Sequence, residues 1–259
     1  MTDVLSDQVQ SPQATAWRVY GIVPAGTSIP NLPESSEGDL AHRNVDVLPY
    51  GEVAAVVEPI GADQGTRRRE LLAHSELLNL LAEHVPVVPV AFGSAFVERE
   101  QIVVELLAPQ QAALASMLDQ LRGHAEFVLR VRYSMDDLLA DVVGHDSEIA
   151  DLRDATRDLP EHEGHNAKMR LGELVSRAVE ARQADDVDWL LAQLEPTVDD
   201  MQITGRSAAE GTISLAFLVG DAQRPAFEAA AEEAAERMSG RAILELRGPL
   251  AAFDFVPEE

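Results

Sequence analysis

Residues 127–246 carry an order of apolar patterns that few folds accommodate. Phe127-Val128-Leu129-Arg130-Val131-Arg132-Tyr133 alternates apolar and basic residues, the pattern of a half-buried strand. Met135, Leu138, Leu139, Val142, Ile149, Leu152 and Leu159 then give one helical stripe, with Ser134 placed as its N-cap. After a polar turn from Pro160 to Gly164, Leu171, Leu174, Ala178, Ala181, Val187, Leu190 and Leu194 give a second stripe. Two long helices joined by a short turn pack as an antiparallel hairpin, here about residues 135–195. Strands at about Val198–Thr204 and Thr212–Val219, a helix at Pro225–Met238 and a strand at Arg241–Leu246 follow. With the hairpin counted as one connection the order is β-α-β-β-α-β. This predicts a ferredoxin-like, antiparallel four-stranded sheet with helices on one face.

The first half reads differently. Trp17 to Val23 is rich in β-branched and aromatic residues and predicts a strand. A polar loop covers Pro24 to Asn44. A hairpin follows: Val45 to Leu48, a turn at Pro49-Tyr50-Gly51, and Glu52 to Val57, ended by Pro59. Arg67 to His84 is helical, with Leu71, Leu72, Ser75, Leu78 and Leu81 or Ala82 on one face. The prolines of Val85-Pro86-Val87-Val88-Pro89-Val90-Ala91-Phe92 hold that stretch extended. Two short helices, about Glu98–Leu107 and Gln110–Leu121, are separated by Pro109.

The expected fold is therefore α+β with two domains: a mixed N-terminal domain at 16–123 and the ferredoxin-like domain at 124–247. Residues 1–15 are polar and expected to be disordered. The tail, 248–259, is expected to pack back on the fold. Gly248-Pro249 should stop any regular element, and Leu250, Phe253, Phe255 and Val256 then need burial against the fold or a partner. The stretch 85–92 and the tail both offer unpaired backbone and large side chains. Such segments add to a sheet edge, cover a partner's apolar face, or tie two domains together. Phe92, Phe96, Leu250, Phe253 and Phe255 are the candidate residues for partner binding or tail docking.

Forty-five acidic residues against 20 basic ones give a formal net charge of −25. Such a field repels phosphate backbones and anionic lipid, so neither nucleic acid nor a membrane is an expected partner. The chain has no cysteine, which removes disulfides, thiolate nucleophiles and Cys-based zinc sites. No signal-peptide pattern and no membrane-length apolar run is present, so the expected location is the cytoplasm.

Catalytic and cofactor signatures are missing. His162-Glu163-Gly164-His165 has a spacing of three where a helical zinc pair needs four. Asp136, Asp137, Asp141, Asp146, Asp151, Asp154 and Asp158 lie outside the apolar stripe and read as a solvated helix face. Ser94 is not in a nucleophile elbow, because Phe96 stands where glycine is required. His74 reads as a polar residue at the edge of a core helix. Neither Gly-x-Gly-x-x-Gly nor a Walker A run occurs. The residues thus predict no enzyme, no cofactor and no metal. A small-ligand-binding regulatory protein with a ferredoxin-like domain is the alternative reading; a hydrolase using His and Asp residues is a more remote one.

Six segments together resemble the gas vesicle protein F/L family. They are Val19-Tyr20-Gly21-Ile22-Val23, Tyr50 to Val57, His74 followed by Val87 to Phe96, Ala125 to Val131, Ala216-Phe217-Leu218-Val219, and Gly248 to Val256. They occur in the family's order across about residues 17–256. The family's tail usually reads Gly-Pro-Trp-Pro-Pro-Tyr-Ser-Phe, and here Leu250, Ala251, Ala252 and Phe253 replace the Trp, both prolines and the Tyr. The resemblance implies a minor, non-enzymatic gas vesicle protein located at the vesicle within the cytoplasm. It implies a role in assembly and nucleation: binding the hydrophobic major shell protein, preventing its aggregation, and contacting other minor gas vesicle proteins.

Overall fold

The structure, a computed structural model, describes residues 16–61, 68–157, 161–207 and 211–257, with the side chains of 161–163 excepted. The expected disorder of 1–15 lies outside these residues. Two compact units emerge. One runs to Ala125 and takes in the tail from Pro249; the other is Glu126–Gly248.

In the first unit, β1 (Ala16–Pro24) is central. It pairs antiparallel with β3 (Val53–Ile60), and β3 pairs with β2 (Asp46–Tyr50) on its other side. The hairpin turn falls at Gly51-Glu52, so Pro49 lies within β2, an edge strand where its missing N–H is tolerated. Strand β3 likewise continues through Pro59 to Ile60. Helix α1 (Arg68–Ala82) buries Glu70, Ala73, His74, Leu77, Leu78 and Leu81. The expected face holds at Leu78 and Leu81, but Leu71 is half exposed, and Glu70, Ala73, His74 and Leu77 complete the buried side. Apolar periodicity could not show this, because the helix buries a carboxylate and an imidazole along with its leucines.

The stretch 85–92 is partly paired, not free. Strand β4 (Val88–Pro89) and β5 (Ala95–Phe96) both pair with β1, and Val90 N donates to Tyr20 O at 3.0 Å. Pro109 does not separate two helices. Helix α2 (Arg99–Gln101), a π-helical run at Ile102–Leu107 and α3 (Ala108–Gln120) form one continuous stretch. Ala108 N bonds to Val103 O, five residues back. A proline ring clashes with the carbonyl four residues back, and the wider π turn relieves that contact.

The core of this unit holds Tyr20, Val23, Leu40, Val56, Leu77, Leu78 and Ala251, with Phe253 packed against it. Each large apolar side chain buried here stabilises the unit by roughly 1.5–3 kcal/mol. Leu40, in the expected polar loop, lies in a short 3-10 turn and is fully buried. That loop lies close on α1. A Cβ on Gly38 would stand 2.4 Å from Ala73 Cα, and the Glu76 carboxylate accepts from the Glu37 and Gly38 N–H groups.

The second unit has a four-stranded sheet in the order β7-β8-β6-β9, made of β6 (His124–Tyr133), β7 (Asp200–Ser207), β8 (Thr212–Gly220) and β9 (Ala242–Leu250). This spatial order, with the chain order β-α-β-β-α-β, is the split βαβ arrangement. Helix α7 (Arg224–Met238) covers one face, where Phe227 meets Phe127 and Phe217 at centroid distances of 5.2 and 5.4 Å.

The first arm of the helical hairpin is two helices, not one: α4 (Met135–His145) and α5 (Ser147–Thr156). Asp146, expected on a solvated face, breaks the arm by capping α5; its carboxylate accepts from the N–H groups of Glu148 and Ile149 at 2.9 and 3.1 Å. Ser134 occupies the N-cap position of α4, but its side chain makes no capping bond. The second arm, α6 (Glu161–Leu194), begins earlier than expected, so Gly164 lies inside a helix and not in a turn. Leu159 and Pro160 lie outside the described residues.

Gly248-Pro249 does not end β9, which continues to Leu250. Two local facts allow this. Strand β9 is at the sheet edge, where a residue lacking an N–H breaks no ladder on its open side. A Cβ on Gly248 would stand 2.4 Å from Phe127 Cδ1, so the strand passes over that ring only because glycine is there.

Candidate functional site: a buried ion cluster and an apolar groove

Beneath the first sheet lies a set of charges that the sequence gives no pattern for. Arg18 of β1 and Arg43 of the loop face Glu58 of β3 and Glu70 of α1. Arg18 Nη1 donates to Glu70 Oε2 at 2.5 Å. Arg43 bonds Glu70 through both terminal nitrogens, at 2.7 and 3.0 Å, and Glu58 Oε2 at 3.1 Å. The Tyr20 hydroxyl donates to Glu58 Oε2 at 2.6 Å. The four charges cancel, and all four side chains are nearly inaccessible, at 5–11% exposure. Hydrogen bonding to Arg43, against the penalty of burial, holds the Glu70 carboxyl at about 2; Arg18 adds to the effect. Burial, then the Glu58 charge, pushes the Tyr20 phenol far up. Every partner is locked in place, so the cluster has no poised acid or base. It ties together β1, β3, α1 and the loop.

His74 adjoins this cluster. Its ring stacks on Tyr20 at 5.3 Å and meets Phe92 edge-on at 5.5 Å. Nε2 is 3.0 Å from the Val90 carbonyl, which only accepts, so Nε2 carries the proton. Nδ1 is buried without a partner. Burial, aided by the Arg18 charge, lowers the His74 pKa to about 4. His74 is therefore a neutral core residue, not one at a helix edge.

Open surface of a different kind lies nearby. A groove of about 650 Å³ is lined by Val88, Pro89, Val90 and Ala91 of the extended stretch, and by Leu106, Leu114 and Met117 of the π and α3 helices. Ile22 of β1 joins them, and the tail contributes Val256 and Pro257. Only Ser94 and Gln110 bring polar side chains. Exposed apolar lining of this kind is the physical character of an interaction surface.

None of the five sequence candidates lines the groove. Phe92 packs on His74, and Phe96 stands opposite Trp17 in the β1–β5 pair. Phe253 rests on the core beside Ala251, whose N–H is held by Asn79 Oδ1 at 2.9 Å. Leu250 ends β9, and Leu250 and Phe255 are both half-buried. The groove residues that sequence reasoning missed are Leu106, Leu114, Met117 and Pro257. The first three stand at steps of eight and three residues, a stripe hidden by reading Pro109 as a break. No group of three His, Asp or Glu side chains placed to hold a metal occurs among the described residues. No helix among them is long and apolar enough to cross a membrane.

Comparison with known proteins places this architecture. The family model described as gas vesicle synthesis protein GvpL/GvpF matches residues 16–257. The chain belongs to the GvpL/GvpF family. It is 28% identical over 251 residues to gas vesicle protein F of Streptomyces sp. (strain CB03234), covering 92% of this chain and 98% of that one. Its fold is that of the crystal structure of GvpF from Anabaena sp. PCC7120, with a TM-score of 0.79 at 18% identity over 95% of this chain and 99% of that one. GvpF from Microcystis aeruginosa gives 0.73 at 17% identity, over 93% and 98%. This family member thus has a gas vesicle role, and its family is not one of known enzymes.

Proposed function

We propose that this chain acts in gas vesicle assembly by seating an apolar segment of the major shell protein in the groove between the 88–91 stretch and α3. The shell subunit is thereby kept from self-association until it is incorporated. The single observation that carries this reading is the groove itself: an open trough lined mainly by apolar side chains on a GvpL/GvpF fold. The body around it is strongly acidic, at a net charge of −25, and like charge keeps a complex with a greasy subunit dispersed. The tail contributes through Val256 and Pro257, with Phe253 anchoring it on the core. Other minor gas vesicle proteins are partners on the same reading, and its place of work is the vesicle within the cytoplasm.

Co-expression with the major shell protein tests this. The wild-type chain is expected to keep shell protein in the soluble fraction and to co-purify with it. Met117→Glu and Val256→Glu, which place charge on half-buried groove positions, should abolish both effects while melting like wild type. Equal solubilisation by these variants, or no association by wild type, would overturn the proposal.

A further inference from the structure

The groove wall formed by Val88 to Ala91 has little regular structure to hold it. Strand β4 covers only Val88 and Pro89, and the chain turns at once, with Ser94 N and Ser94 Oγ donating to Ala91 O at 3.2 and 2.8 Å. Val90 lies between the short ladder and this turn, and it lines the groove. Its N–H goes to Tyr20 O at 3.0 Å, and its carbonyl accepts from His74 Nε2, also at 3.0 Å. The first bond ties the wall to β1; the second ties it to α1.

The imidazole that makes the second bond is fixed by its neighbours. It is 2% exposed, stacks on Tyr20 and meets Phe92 edge-on. Tyr20 is itself held through its hydroxyl by Glu58. Orientation therefore passes from the ion cluster through Tyr20 to His74, and from His74 to Val90. Stability alone does not account for a histidine here. A phenylalanine ring would make the same two aromatic contacts in nearly the same volume. It would also remove Nδ1, which is buried with no partner among the described residues and so weighs against folding. What phenylalanine cannot supply is a donor for Val90 O. Without that donor the carbonyl is free to turn, and the Val90 side chain turns with it.

We infer that His74 is the positioning residue of the groove: its Nε2–H fixes where Val90 stands relative to Leu114 and Met117, and so fixes the shape of the surface that an apolar segment meets. This rests on the assembly reading only for the identity of the occupant. Nile red, an uncharged apolar dye, titrated into the full chain tests it. Wild type is expected to bind saturably, and Met117→Glu to lose that binding. His74→Phe should melt no lower than wild type at pH 7 and yet bind the dye about tenfold more weakly. His74→Gln, which keeps an N–H donor at similar reach but no ring, should melt lower and keep an affinity within about twofold of wild type. A role confined to packing predicts the reverse order, and that order would overturn the inference. So would wild-type affinity in H74F, or dye binding that M117E leaves unchanged. Shell-protein co-purification with the same variants separates the two readings. Dye affinity lost in H74F while wild type fails to hold shell protein would overturn the assembly reading and support this one. Shell protein held by wild type, with dye affinity unmoved in H74F, would overturn this one alone.

Discussion

Replacing Glu70 by Gln removes one of two carboxylates from a cluster whose arginines have no water to turn to. Breaking a buried ion pair from one side typically costs about 3–5 kcal/mol. Glu70→Gln should lower unfolding stability by that order, measured by urea denaturation; a loss below about 1 kcal/mol would show the cluster to be better hydrated than its burial implies. His74 gives a second prediction, in pH. Its folded pKa is about 4 against an ordinary 6.5, so the unfolded chain takes up the proton first as pH falls. Stability is complete above about 6.5 and declines as pH falls to about 4. Glu70, at about 2 against 4.5, adds a further loss between about 4.5 and 2. His74→Phe, which keeps a ring against Tyr20 and Phe92, should flatten the melting profile between pH 6.5 and 4 relative to wild type. Superimposable profiles would rule His74 out as the titrating group. None of this was legible in the sequence. Arg18 and Glu58 sit in strands among apolar residues, 40 positions apart, and no local spacing links them. Asp186 was opaque for the same reason, since its partner Arg241 is 55 residues away.

At the scale of elements, periodicity identified nearly every helix and strand but misjudged their interruptions. A helical stripe continues across a break when both pieces share a face, which is why α4 and α5 read as one helix. The break is held by the Asp146 carboxylate on two N–H groups. Asp146→Ala should cost about 0.5–2 kcal/mol, and amide hydrogen exchange should rise first at Glu148 and Ile149. Unchanged protection at those two amides would contradict the capping role. The opposite error occurred at prolines. Pro49, Pro59, Pro109 and Pro249 all lie inside regular elements: Pro49 and Pro249 are in edge strands, Pro59 lies past the last residue of β3 that pairs with β2, and Pro109 follows a π turn. Residue type marks a possible stop, and only the neighbours decide it. That error also hid the groove, because Leu106 and Leu114 were assigned to separate helices.

The whole molecule was the most legible level. The β-α-β-β-α-β order in the second half is a property of long patterns, which survive errors of a few residues at each boundary, and the sheet order β7-β8-β6-β9 agrees with it. The groove was not legible, because its walls come from β1, the 88–91 stretch, α3 and the tail, segments that only folding brings together. On the proposed function, the shell protein docks in this groove. A photo-crosslinking residue at position 117, in the full chain co-expressed with the major shell protein, reads that contact directly. A covalent adduct with the shell protein is expected from position 117, and none from position 130 in the second unit. Shell protein captured at 130 and not at 117 would contradict it.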